Sequence, residues 1–152
     1  MTAMPSSPVL PSDAPLALDL NVSGESDAIV AVAELLKGHP DILDHAAFVE
    51  AILERQKINP PLLGNGIALP HARTSKVKEI VFAVARCAQP VPFGDEAIPV
   101  RLIFLYGIPP HRVAEHLATV ATLARKLRNQ AVVDGLLAAP DPAAFFTLFR
   151  DS

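Results

Sequence analysis

The residues best suited to chemistry lie in the run Gly64-Asn65-Gly66-Ile67-Ala68-Leu69-Pro70-His71-Ala72-Arg73. Two glycines permit a tight backbone path, a short apolar run reads as a strand, and Pro70 keeps Leu69 extended. An imidazole at such a strand end, on stiffened backbone, is placed to meet something outside the fold. Neutral imidazole, with an ordinary pKa of about 6.5, is a nucleophile at neutral pH. His116 stands on a long helix one residue before Leu117, so its ring borders an apolar stripe near the helix N-terminus. Free N–H groups and partial positive charge at helix N-termini welcome anions. Arg55 and Arg73 are candidate partners for the same anion.

Other chemistries are poorly served. There is no Gly-x-Ser-x-Gly elbow, and the Gly64-x-Gly66 loop lacks the lysine and hydroxyl that hold a nucleotide. His71, His116 and Glu115 could be offered as zinc ligands, but His-Glu-x-x-His is absent and the cysteine stands alone. What remains is histidine as a transient phosphoryl acceptor. His39, in a helix-ending turn, and His45, in the first turn of a helix, read as solvated surface residues. His111, in the loop before the long helix, reads the same way.

The elements that must hold these residues can be read in order. Residues 1–15, rich in Pro, Ser and Ala, read as a mobile tail, and a single domain is expected over 16–152. Leu16–Leu20 suits a short edge strand. Ile29, Val32, Ala33 and Leu36 fall at helical spacing from about Glu25 to Lys37, where Gly38 and Pro40 end the run. Asp44 can cap a second helix through Lys57, with Phe48, Ala51, Ile52 and Arg55 on one side. Glu79–Arg86 and Val100–Tyr106 are β-branched and nearly all apolar, the pattern of strands covered on both faces. Pro90–Gly94 between them reads as a turn. A long helix to about Arg128 puts Val113, Leu117, Val120, Ala124 and Leu127 on one face. Asn129 opens a shorter helix, and Asp141-Pro142 opens a last one that buries Phe145 and Phe149. The expected fold is α/β, with helices packed on both faces of the sheet.

Composition narrows the function. At 152 residues the chain can bury roughly two thirds of its unfolded surface. A formal net charge of −3 and no basic stripe argue against nucleic-acid binding. No apolar run approaches the roughly 18 residues that cross a bilayer. The N-terminus lacks a basic n-region, and Pro5, Pro8, Pro11 and Pro15 break it, which argues against a signal peptide. One cysteine, Cys87, fits a reducing cytoplasm and reads as a small buried hydrophobe.

The motif Gly64–His71 resembles the active-site motif of the IIA components of the bacterial phosphoenolpyruvate-dependent phosphotransferase system. The type is fructose/mannitol, which includes the nitrogen-regulatory IIA proteins. Further landmarks keep register over about residues 16–150: Glu54-Arg55, Val91-Pro92-Phe93-Gly94, Pro99–Leu105 and Glu115-His116-Leu117. The resemblance implies that His71 takes a phosphoryl group from phospho-HPr. It implies that His116 is a second active-site imidazole stabilising the phosphorylated state, and that Arg55 is a mobile cation approaching the phosphate. Gly64, Asn65, Gly66 and Arg73 are expected to bind phosphate. It implies a mixed, about five-stranded sheet sandwiched by helices, with no metal or other cofactor. The expected downstream partner is a IIB domain or a regulated protein; neither sugar nor oligomeric state is implied.

Three departures stand out. Where the family usually has Ser-Thr-Gly-Ile-Gly, this chain has Pro60-Pro61-Leu62-Leu63-Gly64, losing hydroxyls and backbone donors. Arg101 replaces a usual aspartate, and the turn at Gly94–Ala97 looks shortened. The competing expectation is therefore a module of the same fold that docks partners without being phosphorylated.

Overall fold

The computed structural model describes residues 14–58 and 60–152. The tail expected at 1–15 falls, over 1–13, outside the described residues. Ala14 is buried, and the Pro15 carbonyl accepts from Val84 N at 3.0 Å.

In chain order the elements are β1 (Leu16–Leu20), α1 (Glu25–Glu34), α2 (His45–Ile58), β2 (Leu62–Gly64), β3 (Ile67–Ala68), β4 (His71–Arg73), β5 (Val81–Phe93), β6 (Ile98–Ile108), α3 (Val113–Leu127), α4 (Gln130–Ala138) and α5 (Pro142–Asp151). One mixed sheet runs β1-β5-β6-β3-β2, and β4 also pairs with β6. β1 lies parallel to β5, β5 antiparallel to β6, and β3 and β4 both parallel to β6. The sixth strand comes from Pro70. Ile67 pairs with Leu102 and His71 with Tyr106, the same offset, so β3 and β4 are one strand interrupted where Pro70 has no N–H to give. The Pro70 carbonyl still accepts from Tyr106 N at 3.0 Å, which keeps the register across the gap.

Alternation on β5 sorts the two cores. Val81, Ala83, Ala85 and Cys87 face α1 and α2, with Ile29, Val32, Phe48 and Ile52. Phe82 and Val84 face the C-terminal helices, with Leu123, Leu127, Leu136, Phe145 and Phe149. At Gly107 a Cβ would come 2.3 Å from Phe48 Cε1, so this glycine lets α2 settle closely on β6. That approach brings Ala51 and Arg55, on the same side of α2 as Phe48, over the end of the sheet.

Caps form as the sequence indicates. Asp44 Oδ1 accepts from Ala47 N, Asn129 Oδ1 from Ala131 N, and Asp141 Oδ1 from Ala144 N. Elsewhere the elements differ from expectation. α1 stops at Glu34, and i−3 bonds from Leu35, Leu36 and Lys37 tighten its end before Gly38 at φ 85. β5 runs on through Pro90 and Pro92 to Phe93. A register shift between Arg86 and Val91 admits the prolines, and Pro92 faces Pro99 where the hairpin outruns its neighbours. The turn then closes with Gly94 and Ala97 at positive φ.

The buried face of α3 also differs. Val113 and Leu117 are 44% and 63% exposed, whereas Thr119, Leu123, Lys126 and Leu127 are buried. The N-terminal half of α3 passes beyond the apolar core, so its inward stripe there is His116 and Thr119. Lys126 earns its burial by donating to the carbonyls of Phe149, Arg150 and Ser152 at 2.8, 3.2 and 3.2 Å, closing the end of α5.

Candidate active site

His71 opens β4, directly opposite Tyr106 on β6. Register partners on neighbouring strands share a face, about 4.8 Å apart. The two rings accordingly stack with centroids 4.7 Å apart and planes within 3°. His71 Nδ1 lies 2.7 Å from the Leu69 carbonyl. A carbonyl oxygen only accepts, so Nδ1 carries the proton and Nε2 keeps the lone pair. The turn at Pro70 creates this bond: it brings the carbonyl two residues back beneath the ring.

From α3 the ring of His116 comes within 5.1 Å of His71, tilted 43°. From α2 come Ala51 and Arg55. Together with Ala72 and Arg73 these residues line a cavity of about 350 Å³. His71 is only 9% exposed. Burial, with the nearby His116 and Arg55, lowers its pKa to about 4 against the opposing pull of the Leu69 carbonyl. Burial, then Arg73 and Arg55, also lowers that of His116. Both rings are therefore neutral at pH 7, under two guanidinium groups. Such a cavity offers an unprotonated nitrogen together with cationic charge, the pairing that an incoming phosphate needs.

Of the residues singled out in the sequence, His71, His116, Arg55 and Arg73 meet here. Gly64, Asn65 and Gly66 do not line this cavity. They form the turn between β2 and β3, at the far end of the interrupted strand, with Gly64, Asn65 and Gly66 all at positive φ and Asn65 Nδ2 donating to the Leu127 carbonyl at 3.3 Å. In this structure their spacing serves the β2–β3 hairpin.

His39 and His45 are half-buried rather than solvated. His39 Nδ1 accepts from Asp41 N, and His45 Nε2 donates to the Ala33 carbonyl at 2.9 Å, so both tie loop or helix to neighbouring backbone. His111 is exposed. Cys87 is buried, and burial raises its thiol pKa. Arg101 donates from Nε to the Cys87 carbonyl at 3.3 Å, where β5 leaves register. Among the described residues no group of three or more His, Cys, Asp or Glu could hold a metal ion.

Tyr106 is the site residue that sequence reasoning missed. It stood in an apolar strand run and read as core. The signal lay in strand pairing: His71 opens β4 and meets Tyr106 near the end of the parallel β6. Its hydroxyl lies 3.3 Å from His116 Nδ1.

Known proteins share this architecture. The nitrogen regulatory protein of Bradyrhizobium diazoefficiens is 34% identical over 103 residues, 67% of each chain. The crystal structure of nitrogen regulatory protein IIA-Ntr from Neisseria meningitidis superposes with a TM-score of 0.84 at 28% identity, over 94% of this chain and 97% of that one. The fold is shared with enzyme IIA for mannitol from Escherichia coli, solved in complex with phosphorylated enzyme IIB, at TM-score 0.75 and 22% identity over 90% and 94% of the two chains. The family model described as phosphoenolpyruvate-dependent sugar phosphotransferase system, EIIA 2, matches residues 14–152. With the whole fold matched from the first strand to the last helix, this chain belongs to the EIIA 2 family of the phosphotransferase system.

Proposed function

We propose that this chain is a cytoplasmic phosphocarrier in which His71 Nε2 attacks the phosphoryl group of phospho-HPr. The new Nε2–P bond forms as the donor's P–N bond breaks, and the donor imidazole leaves with its electron pair. The observation that carries this reading is the 2.7 Å approach of His71 Nδ1 to the Leu69 carbonyl. It commits the free lone pair to Nε2 of a ring that burial keeps unprotonated. Arg55 and Arg73 offset the charge of the arriving phosphoryl group, and His116 donates to its oxygens. The chemistry asks for positioning and charge rather than for a metal.

Onward transfer goes to a IIB domain, or the phosphorylated chain acts as a signal by adding charge at one face. A regulatory role is favoured by the likeness to proteins named as nitrogen regulatory, in sequence and in fold.

The second reading is a docking module without phosphorylation, suggested by Pro60-Pro61. Against it, neither proline lines the cavity. Pro61 instead contributes the group it retains, its carbonyl accepting from Leu69 N at 2.8 Å. Incubation with enzyme I, HPr and phosphoenolpyruvate, read by intact mass, separates the two. The carrier gains one phosphate, and His71→Ala gains none. A wild-type chain that stays unmodified is a docking module.

A further inference from the structure

We infer that Tyr106 is a positioning residue: its hydroxyl donates to His116 Nδ1, fixing the tautomer in which His116 presents Nε2–H to the phosphoryl cavity. The inference deepens the phosphocarrier reading and rests on it for its functional consequence, though its structural part stands alone.

Tyr106 is fully buried. A buried phenol O–H needs an acceptor, and among the described residues the partner its oxygen has is His116 Nδ1 at 3.3 Å. Were Nδ1 protonated, it would donate to the phenol oxygen and leave the O–H without an acceptor. Burial also raises the phenol pKa, so the hydroxyl keeps its proton and remains a donor. The tautomer with the proton on Nε2 satisfies both groups.

The same residue fixes the other ring. Tyr106 lies flat against His71, and Phe82 holds it from the next strand with centroids 5.6 Å apart. One side chain thus sets the plane of the nucleophile and the donor atom of its neighbour. The two imidazoles end up with opposite tautomers, His71 with its proton on Nδ1 and His116 on Nε2. Each then directs Nε2 to the work it can do: a lone pair in one, an N–H in the other.

The test is nitrogen-15 NMR of the histidine rings at neutral pH in the full chain, wild type and Tyr106→Phe. Phenylalanine keeps the stack and removes only the O–H. The wild type is expected to show His116 protonated on Nε2, and Tyr106→Phe a mixture of both tautomers with His71 unchanged. Phosphoryl uptake by Tyr106→Phe from phospho-HPr is expected to slow by ~3- to 10-fold, the usual worth of one hydrogen bond. A wild-type His116 protonated on Nδ1, or a tautomer identical in Tyr106→Phe, overturns the inference. The wild-type spectrum decides it even if the variant folds poorly. Absence of phosphorylation in the wild type would instead overturn the phosphocarrier reading, leaving the tautomer result to stand or fall separately.

Discussion

His71 and Tyr106 are register partners on adjacent parallel strands, and their rings stack 4.7 Å apart, the spacing of the strands that carry them. The site is thus written into the sheet itself. Pro70 breaks the strand to form the Leu69 bond, Tyr106 meets His71 across the ladder, and α2 and α3 bring a cation and a second imidazole from either side.

The depressed pKa of His71 has a consequence for stability. In the unfolded chain this ring protonates below about 6.5, but in the fold only near 4. Above pH 6.5 it is neutral in both states and contributes no pH dependence. As pH falls from 6.5 through 4, the unfolded state binds the proton more readily, and stability is lost. Denaturant titrations over this window should show wild type losing a few kcal/mol, order of magnitude, more than His71→Ala or His71→Gln. Equal slopes would mean that His71 titrates normally.

Arg55 should respond to more than its charge. Lysine at 55 keeps a positive charge but loses the planar fork that grips phosphate with two N–H groups. Arg55→Lys is expected to accept phosphate from HPr roughly 10-fold more slowly, corresponding to about 1.4 kcal/mol. Rapid-quench kinetics measure this, and an unchanged rate would make Arg55 a structural residue.

Gly107 should tolerate no side chain. A methyl group there would come 2.3 Å from Phe48 Cε1, where α2 packs on the sheet. Gly107→Ala is expected to cost about 1–3 kcal/mol of stability by overpacking. Adding Phe48→Leu should recover part of the loss, as a double-mutant cycle would register; strict additivity would place the strain elsewhere.

Lys126→Met should destabilise α5 while sparing the site. Three carbonyls at the helix end lose their donor, for a cost of about 1–3 kcal/mol. Hydrogen exchange should rise first in α5, with phosphorylation unchanged; protection lost evenly over the sheet would contradict this.

Much of the fold was readable from pattern. Capping residues marked the starts of α2, α4 and α5, and two apolar runs marked the central strands. The extension of β5 through Pro90 and Pro92 was not readable, because a proline stops a strand only where its N–H would be needed, and that depends on register. The exposure of Leu117 escaped as well: helical spacing says which residues share a face, not where the core beneath it ends. At the site, His71, His116, Arg55 and Arg73 carried recognisable chemistry in their residue types. Tyr106 did not, since its role exists only through strand pairing. The glycines at 64 and 66 were expected at phosphate through the family motif, and the hairpin they form was not legible because a tight turn and an anion loop call for the same conformational freedom.

The claim on which everything turns is that His71 accepts the phosphoryl group on Nε2. Phosphorus-31 and nitrogen-15 NMR of the ring-labelled chain, after treatment with enzyme I, HPr and phosphoenolpyruvate, reads this directly. Coupling from phosphorus to His71 Nε2, with Nδ1 still protonated against Leu69, is the expected result; phosphate on Nδ1, on another histidine, or on none would contradict it.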